Sequence, residues 1–75
     1  MVKYHIIGNT YICTTVDVDT VCQKAEMLIT HTVRNKAERE TRVKDLRRWC
    51  MNVNPGDSNI QDEFTVIVEE VKRRK

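Results

Sequence analysis

Glycine is nearly absent from this chain of 75 residues, standing only at positions 8 and 56. That spacing excludes a phosphate-binding P-loop and a dinucleotide fingerprint, both of which need several closely placed glycines. Only one proline is present, and aromatic residues make up 5% of the sequence. A platform of stacked aromatics for single-stranded nucleic acid is therefore not apparent, since Tyr4, Tyr11 and Phe64 fall in strand-like segments. No apolar run approaches a membrane span, and Val2–Ile7 is too short and too interrupted for a secretory leader.

The three cysteines, Cys13, Cys22 and Cys50, are odd in number and widely spaced. They form neither a disulfide framework nor a C-x-x-C pair. Zinc sites draw ligands in closely spaced pairs, because one chelating turn must present two donors to one ion. Among His5, Cys13, Cys22, His31 and Cys50 no two stand closer than eight positions. The sequence accordingly implies no metal and no cofactor, reduced thiols and a cytoplasmic location. Nor does it contain a motif for nucleophilic catalysis, and Glu69 and Glu70 at a strand end point to opposite faces. The expectation is a non-enzymatic protein.

What remains is a small folded domain spanning 1–75, with 40% apolar and 32% charged residues and a formal net charge of +2. A chain of this size buries only about 60% of its unfolded surface, so its core is thin and dimerisation is an ordinary supplement. Charge is unevenly placed. Residues 34–48 carry seven basic and three acidic side chains, 49–71 carry five acidic and no basic ones, and the tail 72–75 is wholly basic.

"VKYHIIGNTYICTT" reads as a hairpin with Gly8-Asn9 at the centre of a type II′ turn. That register pairs Ile7 with Thr10 and Tyr4 with Cys13. One face then holds Val2, Tyr4, Ile6, Tyr11 and Cys13, and the other His5, Ile7, Ile12 and Thr14. "DEFTVIVEEV" alternates as a third strand, with Phe64, Val66 and Val68 toward the core and Ile67 outward. Asn52–Gln61, with its Asn-Pro-Gly-Asp turn signal, reads as the connection into it.

Between the strands, Val18, Val21, Ala25, Leu28, Thr32, Val43, Leu46 and Cys50 lie on one helical stripe. One helix through the region would be about 50 Å long, against about 20 Å for the strands. Capping-box spacings at Thr20/Gln23 and Asn35/Glu38 break it into helices over 20–33 and 36–51. The order is β-β-α-α-β, an α+β two-layer fold with helices on one face of a three-stranded antiparallel sheet. The strand order is left open.

Two surfaces stand out as candidates for binding a protein partner. Ile7, Ile12 and Ile67 should cluster on the outer sheet face, unless a helix wraps round to cover them. Trp49 lies off the apolar stripe beside Arg42 and Arg48, a hot-spot composition, unless it folds back onto the following loop. The rival reading is nucleic-acid binding through Arg34, Arg39, Arg42, Arg47 and Arg48 with the tail residues Lys72, Arg73 and Arg74. Against it, the basic residues spread round the helix, and Glu38–Arg42 and Glu40–Lys44 have the i,i+4 spacing of an exposed helix. The expectation is a protein-binding inhibitor, regulator or accessory factor able to form a homodimer, with nucleic acid the alternative. Small phage or mobile-element proteins share this size and absence of chemistry.

Overall fold

In the computed structural model, which describes residues 1–71, the order is β1 (Val2–Gly8), β2 (Ile12–Thr15), α1 (Val18–Ile29), α2 (Lys36–Cys50), β3 (Ser58–Ile60) and β4 (Phe64–Glu70). The sheet is antiparallel throughout and has four strands, not three, in the order β2-β1-β4-β3. The additional strand is β3, inside the segment expected to be a plain connection. Its three residues carry no hydrophobic alternation, so only pairing with β4 reveals them as a strand.

The Asn54–Asp57 turn delivers β3. Pro55 supplies the restricted φ of the second turn position, and Gly56, at φ 93°, supplies the positive φ of the third, as a type II turn requires. The Asp57 N–H donates to the Asn54 carbonyl, and the Asp57 carboxylate accepts from the Asn54 N–H. Gly56 and Asp57 then both face Val68: the Gly56 N–H donates to the Val68 carbonyl, and the Val68 N–H donates to that of Asp57. Two residues opposing one make a bulge at the start of this edge.

The first hairpin is registered two residues away from the expected pairing. Ile7 pairs with Ile12 and Tyr4 with Thr15, while the Gly8 N–H donates to the Tyr11 carbonyl and leaves Asn9-Thr10 as the loop. Gly8 does not take the positive φ of a type II′ turn. It is instead part of the ladder to β4, opposite Phe64, and this pushes the turn outward. A shift of two preserves parity, so every side chain keeps its expected face.

Both helices cover the same face. Tyr4, Ile6, Phe64, Val66 and Val68 from the sheet pack with Val21, Ala25 and Ile29 of α1 and Leu46 and Cys50 of α2. α1 starts at Asp17, whose carboxylate accepts from the Thr20 N–H, rather than at Thr20 with Gln23. It ends at Ile29, short of residue 33. Thr30 turns its hydroxyl onto the Glu26 carbonyl, and the Thr32 N–H donates to the Ile29 carbonyl three residues back, a tightened turn in place of a further α-helical one. Thr32 therefore leaves the helical stripe, and Ile29 and Cys22 are buried in α1 beside Val21 and Ala25. Val33, buried in the interhelical turn, anchors the connection.

α2 begins where the sequence indicates: the Asn35 side chain accepts from the Glu38 N–H. The Tyr4 hydroxyl donates to the Cys50 carbonyl at 3.0 Å, fixing the end of α2 to the central strand.

Candidate protein-binding face

Each strand of the sheet alternates, so the face turned away from the helices has its own side-chain rows. Ile12, Ile7, Thr65 and Ile60 form one row across all four strands, and Thr14, His5, Ile67 and Ser58 form the next. Neither helix covers this face. Ile12 and Ile60 are 74% and 79% exposed, and Ile7 and Ile67 are each 38% exposed. The row spans about 14 Å at the usual strand spacing. The structure thus brings together Ile7, Ile12 and Ile67, and it adds Ile60. That residue was missed because β3 was missed; its signal was a lone isoleucine two positions before an acidic pair.

One end of the face is polar. The Lys3 ammonium lies 2.9 Å from the Glu69 carboxylate, which also contacts His5 Nε2 at 3.2 Å. His5 Nδ1 reaches the Thr14 hydroxyl at 2.9 Å. The hydrogen bonds from Lys3 and then His5 hold the Glu69 carboxyl below its ordinary pKa. Lys3, His5 and Glu69 form a polar border at this end, with His5 directly beside Ile67.

The second candidate surface separates into parts. Trp49 is half-buried and packs against the core cluster. Arg42 grips Glu63. Its Nη2 lies 2.7 Å from Oε1, its Nη1 3.1 Å from Oε2, and Nη2 also donates to the Gln61 side chain at 2.9 Å. Thr32 donates to the same carboxylate at 2.9 Å. The paired guanidinium, with help from Thr32, pulls the Glu63 carboxyl down to about 2, and Arg42 is raised in turn. This network ties α2 to the interhelical turn and to the β3–β4 turn. No pattern in the sequence links residues 21 positions apart, so spacing suggested Glu38 as the partner instead. Arg48 is exposed, and its carbonyl accepts from the Asn52 side chain.

Other basic residues of α2 are also engaged internally. Arg39 donates to the Val33 carbonyl at 2.7 Å, and Arg47 pairs with Asp19 of α1. Arg34 is exposed, and Lys72, Arg73 and Arg74 lie outside the described residues.

The chemistry available elsewhere is sparse. Cys22 and Cys50 are buried, and burial raises both thiols, Cys50 to about 11, which suppresses the nucleophilic thiolate. Among the described residues, no group of three or more His, Cys, Asp or Glu side chains is placed to hold a metal ion. An open cleft of about 540 Å³ lies between Asn9, Thr10, Tyr11, Leu28, Thr32, Asp62 and Glu63. Its Glu63 carboxylate is already committed to Arg42. Among the described residues, no helix is long and apolar enough to cross a membrane. Comparison with family models, with curated proteins and with solved structures gave no match.

Proposed function

We propose that this chain is a non-enzymatic protein-binding domain that acts by occupying a partner's surface with its outer sheet face. The observation that carries this reading is the uncovered isoleucine row. A core this small gains little from leaving Ile12 and Ile60 in water beside the partly exposed Ile7 and Ile67, and exposed apolar clusters on folded domains commonly mark association surfaces. The polar border of Lys3, His5 and Glu69 supplies, at one end, a rim of the kind found beside an apolar contact centre. Such a domain serves as an inhibitor, regulator or accessory factor of its partner. The nucleic-acid reading is weakened because Arg39, Arg42 and Arg47 each hold an acceptor within the chain.

The test is a quantitative pull-down from nuclease-treated native lysate, comparing the wild type with Ile67→Asp and Ile60→Asp. A partner retained in stoichiometric amount by the wild type should fall at least tenfold with either variant, while circular dichroism stays unchanged. Recovery of the same proteins in the same amounts by all three would sink the proposal. Salt-sensitive retention of the wild type on DNA or RNA would favour the basic helix instead.

A further inference from the structure

The two edges of the sheet are defended differently. At β3 the edge is three residues long, opens on a bulge at Gly56 after Pro55, and is flanked by Asp57, Asp62 and Glu63. Short length, a bulge and charge are the usual means of stopping an edge from pairing further. β2 is itself only four residues long, but its ladder to β1 has no bulge and the strand carries no charge. Thr10–Val16 contains no charge, no proline and no glycine, and β-branched and aromatic residues favour extended pairing there.

The direction of the backbone groups on β2 follows from the ladder. The Gly8–Tyr11 hydrogen bond makes that pair a bonded one, and bonded pairs alternate along an antiparallel ladder. Cys13 and Thr15 therefore bond to Ile6 and Tyr4, while Ile12 and Thr14 aim their N–H and C=O groups away from the sheet.

We propose that the chain forms a homodimer by antiparallel pairing of β2 with β2 of a second copy, about a two-fold axis at Cys13. Ile12 of each copy then bonds to Thr14 of the other, so the outward groups on both strands are satisfied. The chain bends at Val16 just after the strand, and a register centred on Cys13 keeps all pairing within the straight part. An uncharged edge has no charge with which to select an acidic or basic foreign strand. A second copy matches it in length, polarity and apolar character by symmetry. The outer faces of the two sheets would also join, with the exposed Ile12 of each copy beside Thr14 of the other close to the axis.

This inference stands apart from the proposed partner reading, because it concerns the edge and not the face. The experiment is sedimentation velocity over a concentration series, with diamide cross-linking as the second readout. The wild type should show a concentration-dependent dimer. Thr14→Pro removes an outward N–H, together with the exposed hydroxyl that meets His5, and should stay monomeric with unchanged circular dichroism. If Thr14→Pro fails to fold, Thr14→Lys, which places charge at the edge, decides the point and should weaken the dimer at least tenfold.

Cys13 faces Cys13 of the second copy in a non-bonded pair, with Cα atoms about 4.5 Å apart, inside the range a disulfide spans. Diamide, which takes up two electrons and two protons as the two thiols join, should yield a covalent dimer from the wild type and none from Cys13→Ser. A monomer at every concentration overturns the proposal. So does a dimer that survives both Thr14 variants, or one that gives no Cys13 cross-link.

Discussion

Ile6 and Ile7 are neighbours in the same central strand, yet they meet different environments. Ile6 is fully buried between sheet and helices, while Ile7 is 38% exposed on the uncovered side. The same contrast holds between Val66 and Ile67 on β4. The inner face is packed by both helices, so its residues are constrained by volume and by the lack of water. The outer face meets solvent, so its apolar side chains bury less surface on folding than those of the inner face. Hydrophobic side chains kept where folding does not need them are the ones available for association.

Substitution should separate the two faces most strongly at these adjacent isoleucines. Ile6→Ala removes buried methyl groups and leaves a cavity, with an expected loss of about 2–5 kcal/mol in urea unfolding. Ile7→Ala should cost about 1 kcal/mol or less. Equal losses at the two positions would mean that the outer face is covered in solution.

A smaller effect is expected where the inner layer is closed by the Arg42–Glu63 pair. Arg42→Ala leaves the Glu63 carboxylate enclosed without its main partner, for a loss of about 1–3 kcal/mol at neutral pH. The folded-state carboxyl titrates near 2, against an ordinary value of 4.5. Its stabilising contribution is complete above pH 4.5 and disappears as pH falls to about 2. Wild type and Arg42→Ala should therefore converge in stability across that interval. A gap that stays constant between neutral pH and pH 2 would show that the ion pair is not its source.

The smallest expected inner-layer effect is at Tyr4, whose ring is packed but whose hydroxyl makes a single bond to the Cys50 carbonyl. Tyr4→Phe keeps the ring and should cost about 1 kcal/mol by the same measurement. A neutral outcome would mean that water replaces the hydroxyl at that carbonyl.

The helix starts illustrate how far local reasoning reaches. Asn35 caps α2 through the Glu38 N–H as its spacing indicates, because the cap is made within one turn of chain. At α1 two acceptable caps, Asp17 and Thr20, stand three residues apart, and the structure uses Asp17 with Thr20 as its donor. The candidate site was legible in part for the same reason. Ile7, Ile12 and Ile67 sit in strands whose alternation assigns their face, whereas Ile60 sits in a strand that has no alternation to read.

The sequence by itself determined the α+β class, the two helices, the inner and outer faces of β1, β2 and β4, and the start of α2. These follow from periodicity and from contacts a few residues long, which remain the same wherever the elements finally pack. Only the tertiary structure decided the fourth strand, the β2-β1-β4-β3 order, the Arg42–Glu63 pairing and the open state of the isoleucine face. Each of those depends on which distant segments meet. β3 is a strand because β4 offers it a ladder, Gly8 leaves the turn because β4 claims it, and the outer face is bare because both helices are needed on the other side.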